Sequence, residues 1–120
     1  MKYNCVIKDI EDDEEVTIKI GNVIITGFVN MGISIPIDTE TEVEIELYDD
    51  IEIEETHIHE KTILSKGTYS YSIFGVLDID NSIISSTLDF SIDRECLYEY
   101  GFLDGKYVEV KVSRLDFYFD

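Results

Sequence analysis

The chain has 120 residues, 27 of them acidic and nine basic, for a net charge of −18. That length fits one domain, residues 1–120, able to bury about two-thirds of its unfolded surface, and 44% hydrophobic content excludes the disorder that the charge alone would suggest. The charge also excludes nucleic acid and anionic membranes as partners, because their phosphates would be repelled and the nine Lys and Arg residues are scattered singly, with no basic stripe.

Seventeen of the acidic residues fall in the first 60 positions against three lysines, so that half carries −14 and the other half −4. Ile is the commonest residue while Ala is absent, a composition that suits a pleated, half-buried surface better than a helix. No apolar run has the length of a signal peptide or a membrane span. Two cysteines, Cys5 and Cys96, do not make a disulfide framework. The expectation is a cytoplasmic protein with both thiols reduced.

Along the chain, Glu11 to Glu15 reads as a solvated loop. Val16, Ile18 and Ile20 then alternate with polar residues and lead into Gly21-Asn22, a two-residue turn of types that tolerate positive φ. Pairing across it sets Ile20 against Val23 and Ile18 against Ile25. Pro36 belongs to a connection or an edge strand. Val43, Ile45 and Leu47 alternate with Glu42, Glu44 and Glu46, and Ile51 and Ile53 with Glu52 and Glu54. A loop at Tyr48-Asp49-Asp50 would fold these two segments into a hairpin that opposes Glu46 to Glu52 and Glu44 to Glu54. Such like-charge pairs oppose the pairing that hydrophobic burial favours.

Further on, a turn at Asn81-Ser82 opposes Ile79 to Ile84, Gly75 to Leu88, Ile73 to Phe90 and Tyr71 to Ile92. Asp93 can cap a short helix over residues 94–100 that Gly101 stops, and the same segment reads equally as a strand leading into the Asp104-Gly105 turn. After the Asp104-Gly105 turn, Val108, Val110 and Val112 mark a strand. Its phase shifts at Ser113-Arg114 before Leu115, Phe117 and Phe119, the mark of a β-bulge or a bend. The fold class is all-β: a single domain of about eight mostly antiparallel strands, closed as a small barrel or folded as a β-sandwich, with at most one short helix.

The chemistry-bearing signals are few. His57 and His59 share a strand face, with Glu55 beside them, but no third His or nearby Cys completes a zinc pattern, so no metal is assigned. Asp78 to Ser82 resembles the start of a calcium loop without its glycine or its closing glutamate, and reads as a turn. Tyr69 and Tyr71, with Tyr98, Tyr100 and Tyr107, read as core or rim packing, with a recognition surface as the other reading. Cys5 and Cys96 have no cationic cluster to activate them apart from Arg94. No cofactor and no catalytic residues are expected, which weighs against an enzyme.

The expected function is an acidic protein-binding module for a basic protein, on the physics of immunity proteins, inhibitors and nucleic-acid mimics. Its partner-binding residues are Glu42, Glu44, Glu46, Glu52 and Glu54 as one patch, with Asp49 and Asp50 at its tip. The alternative is a structural or assembly subunit, a homo-oligomer built through strand edges and tyrosines. A metal-assisted hydrolase around His57 and His59 ranks third.

Overall fold

The computed structural model describes residues 1–30, 32–48 and 51–119. Eleven strands occur among them: β1 (Lys2–Glu11), β2 (Glu15–Ile20), β3 (Val23–Phe28), β4 (Glu40–Leu47), β5 (Glu52–Glu55), β6 (Thr62–Ser65), β7 (Tyr71–Asp78), β8 (Ile83–Ser85), β9 (Asp89–Ser91), β10 (Tyr107–Val112) and β11 (Leu115–Phe119). Two short 3-10 helices, Arg94–Leu97 and Gly101–Leu103, lie between β9 and β10. The protein is all-β, with more and shorter strands than alternation alone suggests.

Five strands close a barrel in the order β1-β2-β3-β11-β4, and the other six form a second sheet, β5-β10-β7-β8-β9 with β6 beside β7. β1 to β3 meander, and β4 returns after a long connection containing Pro36 to lie beside β1, which is a Greek key. β1 serves two neighbours. Its first half pairs with β4 and its second half with β2, and the register shifts between Ile7 and Asp9. That bulge bends the strand, as closure of a small barrel requires. β11 completes the circle, antiparallel to β4 and parallel to β3 at Asp116 and Phe28.

The Gly21-Asn22 hairpin has the expected register, Ile20 opposite Val23 and Ile18 opposite Ile25, with Gly21 at a φ of 58°. Glu11 and Glu15 are the ends of β1 and β2, so the loop between them is only Asp12-Asp13-Glu14, with Asp12 and Asp13 both at positive φ. The hairpin of β7 and β8 exists, but it sets Leu77 against Ile84 and Asp78 against Ile83, two residues away from the expected register. A four-residue loop with Ser82 at a φ of 55° replaces the two-residue turn. The chain then folds back at Ser86, so Phe90 opposes Ile84 and not Ile73. Both registers keep the same side chains on the inner face, which is why alternation did not separate them.

Asp93 does cap, accepting from the Glu95 N–H at 3.0 Å, but the helix it starts is a single 3-10 turn, and Gly101 begins the second one. The phase change at Ser113-Arg114 is a corner, where the chain leaves the second sheet at Val112 and enters the barrel at Leu115. One apolar core runs through both parts, from Ile7, Ile18 and Phe117 in the barrel to Ile73, Phe90 and Val110 in the second sheet. Two tyrosines tie them together. The Tyr71 hydroxyl on β7 accepts from the Thr26 N–H of β3 at 2.8 Å, and the Tyr3 hydroxyl on β1 donates to the Asp89 carbonyl of β9.

Candidate functional site

On β4 the alternation is complete. Val43 and Ile45 fill the barrel, while Glu40, Glu42, Glu44 and Glu46 stand on its outer surface. Successive glutamates are two residues apart, about 6–7 Å along the strand. Lys2 and Asn4 of β1 lie opposite Glu44 and Glu42, and Tyr118 and Asp116 of β11 opposite Glu44 and Glu46. The N-terminal ammonium lies 3.9 Å from Glu44. Burial first, and then the charges of Glu46 and Asp116, push the Tyr118 phenol above its ordinary range.

Two recesses flank this row. A shallow groove of ≈ 840 Å³ carries Glu40 and Glu42 on one side and Lys8 and Lys19 on the other. Lys8 is engaged by Asp38 at 3.4 Å. A smaller groove of ≈ 330 Å³ lies between β4, at Glu44 and Glu46, and the segment Ser91-Ile92-Asp93 that leads into the first 3-10 helix.

The structure divides the expected patch. β4 and β5 are not a hairpin, because β4 lies between β1 and β11 whereas β5 is the edge of the second sheet beside β10. Glu52 and Glu54 therefore do not face Glu46 and Glu44, and Asp49 and Asp50 lie outside the described residues. The reason is electrostatic as well as topological. β10 offers β5 the same apolar contacts through Val110, together with cations: Lys111 lies opposite Glu52 and 3.6 Å from Glu54, and Lys106 is 3.7 Å from Glu55. Between β5 and β10 one like-charge pair persists, Glu54 opposite Glu109, where the Ser72 hydroxyl donates to Glu109 at 2.8 Å.

His57 and His59 occupy the connection between β5 and β6, so they do not share a strand face as expected; His59 stacks on Tyr107 with ring centres 4.7 Å apart. Among the described residues, no group of three or more His, Cys, Asp or Glu is placed to hold a metal ion. Asp78 accepts from the Asn81 side chain at 2.8 Å and from its backbone N–H, and these bonds hold its carboxyl below the ordinary range. The segment Asp78 to Ser82 is thus a turn, as read. Cys5 is buried and Cys96 half-buried, and burial pushes the Cys5 thiol up to about 11.

A second cluster has no counterpart in the sequence reading. The Arg114 guanidinium lies 3.7 Å from the Tyr48 ring centre and 5.0 Å from that of Phe28, and its Nε donates to the buried Asp116 at 3.0 Å. Phe28 in turn packs edge-on against Tyr69, whose hydroxyl donates to Glu15. Tyr69 lies before β7 begins, while Tyr71 is buried within it. The cluster draws on five separate segments around the β3–β11 seam, so no local spacing could reveal it.

Among the described residues, no helix is long and apolar enough to cross a membrane. Compared with known proteins, the chain matches one family model over residues 1–119, described as "Uncharacterised conserved protein UCP019853". No curated protein matches it, and neither does any solved structure.

Proposed function

The chain belongs to this family along its described length, barrel and second sheet together, and on that premise we propose that it is an acidic protein-binding module whose β4 face engages a basic protein. The observation that carries the reading is the row Glu40, Glu42, Glu44 and Glu46 on one rigid strand of a closed barrel. A strand held by neighbours on both sides keeps its carboxylates at fixed intervals, so a partner's Lys and Arg side chains meet a preorganised row. The surrounding charge of −18 steers a cationic partner toward it and repels nucleic acid. Glu52 and Glu54 belong to a separate, partly neutralised surface and serve at most as a second contact. Immunity proteins, inhibitors and nucleic-acid mimics share this physics. A cytoplasmic setting accords with the scarcity of cysteine, two residues in 120.

The test is affinity capture from the source organism's lysate at low salt, comparing the wild-type protein with a Glu42→Gln, Glu44→Gln, Glu46→Gln variant. The expected result is one basic protein retained by the wild type beyond ~0.3 M salt, where weak screened contacts fail, and lost from the variant. Equal retention by both proteins would sink the reading. Recovery of the protein alone, at a mass above the monomer, would favour an assembly subunit.

A further inference from the structure

The two most exposed aromatic residues of the described chain lie four positions apart. Tyr98 is 77% and Phe102 71% exposed, while Tyr71, Phe74, Phe90 and Phe117 are buried. Both project from the pair of 3-10 helices between β9 and β10, which Leu97 and Leu103 anchor in the core at 2% exposure each. The anchoring matters, because a segment pinned by two buried leucines holds its outward side chains in place. Beside them, a recess of ≈ 380 Å³ is lined by Ile79, Asp80, Arg94, Leu97, Tyr98 and Gly101.

Exposed Tyr and Phe on a rigid turn, with an Arg at hand, have the composition of an interface centre. Their surroundings define the partner's chemistry. Asp80, Asp93, Glu95, Glu99 and Asp104 are all exposed around them, against the single cation Arg94 within the segment 93–104. The segment also adjoins the acidic row, since Asp93 forms one wall of the groove whose other wall holds Glu44 and Glu46.

We propose that Tyr98 and Phe102 are the apolar anchor of the protein-binding surface, packed against apolar side chains that a partner presents among its Lys and Arg residues. This rests on the reading of β4 as the acidic face and adds to it the contact that gives selectivity. Carboxylates attract any cationic protein, whereas two aromatic side chains reward only one that presents apolar side chains beside its cations.

Two synthetic peptides of equal length and lysine content test it, one with leucine and tryptophan between the lysines and the other with serine. Titration at physiological salt should show the apolar peptide binding the wild type about tenfold more tightly than the serine peptide. A Tyr98→Ser, Phe102→Ser variant should lose that preference while still binding the serine peptide and keeping the wild-type melting temperature. The Glu42→Gln, Glu44→Gln, Glu46→Gln variant should weaken for both peptides and keep the preference. Equal affinity of the two peptides for the wild type, or a preference that survives the double serine variant, overturns the anchor. Failure of the β4 variant to weaken overturns the acidic-face reading alone. A wild-type dimer in sedimentation that the double serine variant dissolves would assign the patch to a second copy and also overturn the proposal.

Discussion

Replacing Gly75 by Ala should damage the second sheet at its most crowded point. On one side β7 pairs with β10 from Tyr71 to Val76, whereas on the other it pairs with β6 up to Phe74 and with β8 from Val76 onward. Gly75 stands at that exchange, where the chain after β8 turns over it. A Cβ there would clash with the Ser85 carbonyl oxygen and lie 2.8 Å from the Ser85 carbonyl carbon and 3.1 Å from the Ser86 Cα. These are backbone atoms, and the Ser86 hydroxyl is itself tied to the Phe74 carbonyl at 2.6 Å, so the neighbour cannot swing aside. Overpacking of this kind costs about 3 kcal/mol, at the upper end of its range, while the loss of glycine's freedom in the unfolded chain returns about 0.7 kcal/mol. The net of roughly 2 kcal/mol lowers the melting temperature of a chain this size by about 8 °C. Gly101→Ala is the control, since nothing lies within 4 Å of its Cβ position and its φ is not positive; it should hold or slightly raise the melting temperature. Thermal unfolding followed by circular dichroism reads both. A Gly75→Ala protein that melts within ~1 °C of the wild type would refute the packing argument.

The Glu42→Gln, Glu44→Gln, Glu46→Gln variant should melt about 2–4 °C higher than the wild type at low salt, and the gain should vanish near 1 M salt, where the Debye length is about 3 Å; a lower melting temperature at low salt would mean that cations stabilise the row. Burial, and then the charge of Asp89, raises the Tyr3 phenol from 10.0 to about 12. The folded protein therefore keeps that proton in a window where the unfolded chain releases it, and stability falls as pH rises from 10 toward 12. An absorbance titration of tyrosinate should show a component near 12 that Tyr3→Phe removes, and its persistence would assign that component elsewhere. With a thiol reagent at neutral pH, Cys96 should react in the native protein and Cys5 only on unfolding, because Cys5 is buried with its thiol raised to about 11; rapid modification of both would refute the placement of Cys5 inside the barrel.

Alternation made the class of fold legible, because a strand with one wet face announces which residues it buries. It also made the Gly21-Asn22 hairpin legible, since a two-residue turn leaves a single register. Partner choice was a different matter. Val43 and Ile45 are equally satisfied by any neighbouring strand that supplies an apolar row. The near neighbour in sequence, β5, lost to β1 and β11, whose long-range pairing only the closed barrel rewards. For the acidic face, the glutamates of β4 were recognisable by spacing, whereas the separation of Glu52 and Glu54 from them follows from topology. The Arg114 cluster and the exposure of Tyr98 and Phe102 depend on contacts between distant segments. An aromatic residue reads the same in a sequence whether it ends in a core or on a surface.

The strand that closes the barrel is β11, the last among the described residues, and everything from Tyr48 to Arg114 lies between it and its neighbour β4. During synthesis β1 to β4 emerge first, and their Greek key must wait with the edges of β3 and β4 unpaired until the second sheet has been made. Open edges of that kind invite pairing with other chains. β4 meets the danger with Glu40, Glu42, Glu44 and Glu46, a line of negative charge that repels the same strand of any neighbouring copy. The row that faces a partner in the finished protein is thus also a guard on an unfinished one, and neutralising it should lower the yield of soluble protein even where it raises the melting temperature.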